Sequence, residues 1–224
     1  IFVQDESDNI YLVDKSGNIL WQRTIDGQII GDVYQIDIYK NNKLQMLFNT
    51  KSHMYLLDRK GRDVERYPLK LPSEATNGIA VFDYDNNKNY RILLACQDMK
   101  LYNFDKYGKK VQGWEFNPGN DLIYAPITHM SFSEKDYLVF IDAKGKVSAV
   151  DRRGNFRFKL ESKFPYLYND NYIVDKGTSL KNTMLIATDS SGTIYMISLN
   201  DRIDSLNFDK YSRPPFFDYA DFDG

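Results

Sequence analysis

The sequence predicts an all-β fold made of a repeated unit of about 46 residues, and three observations point to it. A turn of the form Asp-x-x-Gly returns at near-constant spacing. Apolar runs of four or five residues flank it. No stretch carries the 3.6-residue period of an amphipathic helix.

The turns are Asp14-Lys15-Ser16-Gly17, Asp58-Arg59-Lys60-Gly61, Asp105-Lys106-Tyr107-Gly108 and Asp151-Arg152-Arg153-Gly154, with aspartates 44, 47 and 46 positions apart. The chemistry is that of a tight hairpin. The Asp side chain accepts the turn amides, and Gly takes a positive φ that other residues resist. A short apolar strand precedes each turn: Ile10-Tyr11-Leu12-Val13, Met54-Tyr55-Leu56-Leu57, Leu101-Tyr102-Asn103-Phe104 and Val147-Ser148-Ala149-Val150. A fifth copy, Ile194-Tyr195-Met196-Ile197, runs into Asn200-Asp201 instead of the Asp-x-x-Gly frame. Another apolar strand lies before each of these, from Ile1-Phe2-Val3 to Met184-Leu185-Ile186-Ala187. A more polar strand is expected after each turn, as at Val64-Glu65-Arg66-Tyr67 and Val111-Gln112-Gly113-Trp114.

Two further markers share the register. Asp37, Asp83, Asp175 and Asp221 fall 46, 92 and 46 apart, the slot near His129-Met130-Ser131 having lost its acid. Pro72, Pro118, Pro165 and Pro214 fall in the connectors, 46, 47 and 49 apart, where a residue without an N–H is tolerated. Four short strands in such a unit is the size of a β-propeller blade. The expected units are a partial one at 1–23, then 27–71, 72–117, 118–164 and 165–211, with a tail strand in 212–224. Two architectures fit: a closed ring of five blades completed by the tail, or an arc of a larger propeller. Asp221-Phe222-Asp223-Gly224 favours the arc, because it reads as the start of another acidic loop. A plain β-sandwich does not require three markers in one register.

Composition narrows the function. The 224 residues carry 29 basic and 31 acidic side chains, so no basic surplus points to nucleic acid or anionic lipid. No apolar run reaches the ~18 residues of a membrane helix. The single cysteine, Cys96, excludes an intrachain disulfide and reads as a buried strand residue in the run Ile92 to Cys96. The chain starts at Ile1, which reads as a processed product or excised piece, so a larger native protein is expected.

Asp14-Lys15-Ser16-Gly17-Asn18-Ile19-Leu20-Trp21 resembles the blade signature of the pyrroloquinoline-quinone-like propellers, in which the tryptophan docks on the neighbouring blade. One unit keeps the full spacing; Trp114 is shifted by two positions and aligns with Tyr67. The resemblance implies the fold rather than the quinone, whose enzymes use eight blades and a metal. Asp83-Tyr84-Asp85-Asn86-Asn87-Lys88-Asn89 resembles the calcium loop of FG-GAP repeats, as in integrin α-subunit propellers. That resemblance implies a calcium site at Asp83, Asp85, Asn87 and Asn89, whose alternate positions supply oxygens to a hard cation. Lys88 departs from it where glycine is usual, and Arg91 where a further carboxylate is usual. The same residues also read as an Asx-rich hairpin without metal. The whole chain resembles uncharacterised bacterial cell-envelope proteins with a large propeller region, which implies an envelope or extracellular location and no known activity.

No His-Glu-x-x-His, Gly-x-Ser-x-Gly or phosphate loop is present, and His53 and His129 read as packing or surface residues. The reading is a non-catalytic binding or scaffold module, without organic cofactor, for a protein or glycan ligand. The alternative is a glycan-active hydrolase using carboxylates around a central channel. Its candidate channel and ligand-binding positions are Asp32, Asn77 and Asp170 in the innermost strands.

Overall fold

The computed structural model describes residues 1–114, 116, 121–165, 167 and 171–207, and it divides into two compact units, Ile1–Leu122 and Ile123–Gly224. Every named sheet is antiparallel, and its strands pair in sequence order.

The first unit holds three sheets. One joins β1 (Phe2–Gln4), β2 (Asn9–Val13) and β3 (Ile19–Thr24). The next joins β4 (Ile30–Ile36), β5 (Gln45–Asn49), β6 (His53–Leu57) and β7 (Leu69–Lys70). The third joins β8 (Ala80–Phe82), β9 (Arg91–Ala95) and β10 (Leu101–Asp105). The second unit holds two four-stranded sheets. They are β11 (Thr128–Phe132), β12 (Lys135–Ile141), β13 (Lys146–Val150) and β14 (Phe156–Lys163), then β15 (Ile173–Asp175), β16 (Met184–Thr188), β17 (Ile194–Ser198) and β18 (Arg202–Leu206). The five sheets follow one another along the chain, β3 running one residue past the first expected unit of 1–23. The tail strand expected in 212–224, with Asp221, lies outside the described residues.

The turn chemistry recurs as the spacing predicts. Asp58 Oδ1 accepts the N–H groups of Lys60 at 2.8 Å and Arg62 at 3.0 Å, while Gly61 N–H donates to Asp58 O at 2.9 Å. Asp14, Asp105 and Asp151 repeat the pattern. Asp5 builds the same turn between β1 and β2, Asp142 between β12 and β13, and Asp189 between β16 and β17. The first and fourth sheets therefore carry this hairpin twice, where the 46-residue spacing alone suggested one copy. Cys96 takes the place of the acid in the third sheet, one residue past β9, where its N–H donates to Lys100 O at 3.0 Å. Burial pushes its thiol up to about 12. At the slot without an acid, β11 and β12 join through Ser133 and Glu134, both at positive φ, as a two-residue hairpin demands.

One expectation fails. Val64 to Tyr67 and Val111 to Trp114 are turns, not strands. Tyr67 N–H donates to Val64 O at 3.1 Å and Trp114 N–H to Val111 O at 3.4 Å. Glu65 and Gly113 sit at positive φ, outside the pleated region, and Pro68 has no N–H to continue a ladder. The second sheet recovers a two-residue outer strand in β7. The third shows no fourth strand among the described residues, only the Phe104↔Lys110 bridge.

The apolar runs are continuous because central strands are buried on both faces. In β5, Met46 and Phe48 join Ile10, Tyr55 and Leu57 in a core shared with the first sheet. Leu47, between them, joins Leu56, Ile92, Leu94 and Phe104 in a core shared with the third. Successive residues point to opposite faces, so both must be apolar. Val139, Ala149, Phe164, Leu185 and Ile197 form the corresponding core of the second unit.

Neighbouring sheets are also latched at their outer strands. Trp21 on β3 donates its Nε1–H to Arg59 O in the next sheet's turn at 3.0 Å, and a Cβ at Gly61 would lie 2.6 Å from its ring. Arg23 adds an ion pair to Asp63 at 2.9 Å. One sheet further, the Tyr67 hydroxyl donates to Lys106 O, the equivalent turn carbonyl, at 3.3 Å. In the second unit, Asp201 accepts the N–H groups of Glu161 and Ser162 on β14, at 3.0 and 2.8 Å. At the inner ends the backbones touch: a Cβ on Gly78 would lie 2.8 Å from Gly31 Cα and Ile30 O.

Two stability changes follow. Gly78→Ala has nowhere to place its methyl against two backbones and is expected to cost about 1–3 kcal/mol in urea unfolding. Trp21→Ala loses the ring on Gly61 and one hydrogen bond. It is expected to cost about 2 kcal/mol, less than the ~3–5 kcal/mol of a fully buried aromatic.

Candidate functional site

The three innermost positions proposed for a channel do not behave alike. Asp32 is exposed on β4. Asn77 is 1% exposed and built into the backbone: its Oδ1 accepts Ala95 N–H at 3.0 Å, and its carbonyl accepts Asn49 Nδ2 at 3.3 Å. Asn49 Oδ1 in turn accepts Ile79 N–H at 2.8 Å. Asn77 thus ties inner segments together where Gly31 and Gly78 meet. Asp170 lies outside the described residues.

The acidic loops after β4 and β8 close on themselves. Asp83 accepts Asn87 N–H at 3.0 Å on one oxygen and Lys88 N–H at 2.8 Å on the other. Asn87 Oδ1 accepts Asn89 N–H at 3.0 Å. Asp37 accepts the N–H groups of Asn41 and Asn42 in the same way. Lys88 then reaches back from the third sheet's loop to Asp37 Oδ2 at 2.6 Å and Asn42 Oδ1 at 3.1 Å. Asp83 and Asn87, two of the expected calcium ligands, accept loop N–H groups, and the Lys88 ammonium of the same loop pairs with Asp37 and Asn42. Among the described residues, no three His, Cys, Asp or Glu side chains cluster as metal ligands.

The Lys88 ammonium holds the Asp37 carboxyl down to about 2, with the loop amides assisting. A lowered carboxylate value stabilises the fold above the ordinary carboxylate value of about 3.9, and this contribution disappears as pH falls through about 2. Asp5, held to about 2 chiefly by the Asn9 side chain, acts in the same window. Lys88→Met is expected to move Asp37 back toward the ordinary value, seen by NMR titration of its carboxyl carbon. It is also expected to bring acid unfolding to higher pH.

The two histidines are each paired with an aspartate. Ser52 Oγ, His53 Nδ1 and Asp26 Oδ2 lie 2.7–3.0 Å from one another. Both oxygens meet the same ring nitrogen, so the group is a closed triangle and not a relay from nucleophile to base to acid. His129 Nε2 lies 2.7 Å from Asp136 Oδ1, whose other oxygen pairs with Arg152.

A cavity of about 320 Å³ opens on the third sheet, lined among others by Leu101, Asn103, Lys110, Val111, Trp114 and Phe116. Trp114 is pinned by its Nε1–H to Leu101 O at 2.7 Å and meets Phe116 edge-on at 6.0 Å. Asn103 is 2% exposed, and neither its Oδ1 nor its Nδ2 has a hydrogen-bond partner among the described residues. A buried polar group left so costs roughly 1–3 kcal/mol. The signal was present in the sequence. In the strand before each turn, the third position reads Leu12, Leu56, Asn103, Ala149 and Met196, and only one of these is polar.

Comparison with known proteins places the fold. No family model matches, and no curated protein matches. Among solved structures, BBS1N in complex with ARL6DN, soaked with lead, superposes with TM-score 0.66 at 11% identity, covering 93% of this chain and 63% of that one. The mercury-soaked form of that complex gives 0.61 at 16% identity, covering 89% and 60%. BamB from Moraxella catarrhalis gives 0.52 at 14% identity, covering 90% and 59%. The chain is thus all-β with a β-propeller-like fold, and it spans about three-fifths of the length of these neighbours. Among the described residues, no helix is long and apolar enough to cross a membrane.

Proposed function

We propose that this chain is a non-catalytic protein-interaction module, a propeller-like part of a larger cell-envelope protein. The observation that carries the reading is the likeness to BBS1N, a propeller-like neighbour solved with a protein partner bound. The chemistry of the chain agrees with it. The histidine–aspartate groups are spent on each other, and the acidic loops are closed by their own amides. The envelope location rests on the sequence resemblance alone.

Crosslinking mass spectrometry of the native protein in its own membranes tests the reading. Reproducible crosslinks from this segment to one protein partner are the expected result. A segment that crosslinks to no protein, yet hydrolyses a polysaccharide with activity lost in Asp32→Asn, would replace the module with the hydrolase. Calcium chloride or a chelator is expected to shift the melting temperature by less than about 1 °C, because the acidic loops are internally satisfied.

A further inference from the structure

We propose that a basic cleft at one end of the second sheet is a docking site for an acidic segment of a partner protein, one whose Asp or Glu residues flank an aliphatic side chain. The proposal deepens the interaction-module reading and rests on it.

The register of the sheet brings the cleft together. Met46 pairs with Leu57, so the chain entering β5 and the chain leaving β6 lie side by side at the same end. Between them is a cleft of about 310 Å³. Tyr39, Lys43 and Leu44 line it from the β4–β5 loop, and Arg59, Lys60 and Arg62 from the turn after β6. All six residues are exposed, and Tyr39 and Leu44 set apolar surface beside the cations. The backbone on both sides is already fixed. Asn41 Oδ1 accepts Lys43 N–H at 3.0 Å, and the buried Gln45 carboxamide accepts Ile38 N–H at 2.9 Å and donates to Lys43 O. The facing turn is closed on Asp58 and carries the Trp21 latch. A partner therefore meets a preformed surface and orders little of this chain on binding.

The charges around the cleft are unequally matched. Arg62 is taken by Asp58, its Nε donating to Asp58 Oδ2 at 2.8 Å. Glu65 accepts the Tyr39 hydroxyl at 3.0 Å, and Asp63 is paired with Arg23. The Lys43 and Lys60 ammonium groups and the Arg59 guanidinium make no ion pair among the described residues. Carboxylates are their complement. An aliphatic side chain between those carboxylates would cover Leu44 and the Tyr39 ring and remove both from water. A volume at the lower end for ligand pockets admits one such side chain, so the segment continues over the exposed rim. A nucleic acid fits less well. Its phosphates recur along the whole strand, whereas these three cations are gathered at one cleft on a chain of net charge −2.

The test uses the whole chain and two N-acetylated, C-amidated octapeptides, one alternating Glu with Leu and one alternating Lys with Leu. Titration calorimetry is expected to show saturable binding of the Glu peptide, at least about tenfold tighter than the Lys peptide. That binding is expected to weaken as salt rises from about 0.05 M to about 0.5 M. Lys43→Glu combined with Lys60→Glu is expected to weaken it at least about tenfold. The melting temperature of this double variant is expected to move by less than about 2 °C, because neither ammonium holds a contact in the fold. Leu44→Ser is expected to weaken binding about threefold to tenfold. Lys15→Glu, in the corresponding turn of the first sheet, is expected to change it less than about twofold. A loss in Lys15→Glu as large as in the double variant would reduce the effect to overall charge and overturn the proposal. So would the absence of saturable binding, or unchanged affinity in the double variant. Should the double variant unfold, Lys43→Gln with Lys60→Gln takes its place, and unchanged affinity there overturns the proposal equally. An oligothymidylate of the same length binding more tightly than the Glu peptide would make the cleft a nucleic-acid site and also overturn it. Failure at this cleft with protein crosslinks intact removes the site and leaves the module standing; loss of the crosslinks removes the module.

Discussion

A carboxylate that accepts the amides two and four residues further along the chain is the contact on which every sheet depends. Seven aspartates make it: Asp5, Asp14, Asp58, Asp105, Asp142, Asp151 and Asp189. The bond is charge-assisted and local, so it does not depend on residues distant in the chain. It also fixes register. A one-residue slip would exchange the two faces of a strand such as β5, and its two faces belong to different cores. Tyrosines on the following strand reinforce the device: the hydroxyls of Tyr11 and Tyr195 donate to the second oxygens of Asp5 and Asp189.

Sheets are joined by an interaction whose position is retained while its chemistry varies. An indole N–H at Trp21 and a phenol O–H at Tyr67 reach the same carbonyl of the next sheet's turn. The aspartate of the Asn200-Asp201 turn reaches the other way, to the outer strand of the preceding sheet. What the joint requires is a hydrogen bond between the outer part of one sheet and a turn or outer strand of its neighbour; at the Trp21 joint the fit is tight enough that Gly61 cannot carry a side chain. Lysines add a second layer in the first unit. Lys88 closes onto Asp37, and Lys106 donates to Ile38 O at 2.8 Å. These long side chains let one sheet's loops be held by the next.

The polar chemistry of the chain is mostly consumed in holding it together. Asn49 and Asn77 satisfy backbone groups where inner segments converge, and the aspartates satisfy turns. Against that background, Asn103 stands apart, with a buried carboxamide that no described residue engages.

The repeat, its length, the hairpin chemistry and the strands were legible in the sequence, because they depend on contacts within about five residues and on period-two burial. The docking of Trp21 was legible as a resemblance. Other features were decided only by the tertiary structure. Val64 to Tyr67 and Val111 to Trp114 have the composition of strands, yet they turn, because the backbone at Glu65 and Gly113 leaves the pleated region. That Asn77, read as a channel position, bonds backbone groups close to where Gly31 meets Gly78 is visible only in the packed structure. In the loop from Asp83 to Asn89, what the sequence does not show is that Asp83 accepts the loop's own amides and that Lys88 reaches across to Asp37 of the preceding sheet. Local sequence determines which hairpins form and where. Which polar groups remain unsatisfied is a property of the packed sheets, since it depends on which neighbours arrive from distant parts of the chain.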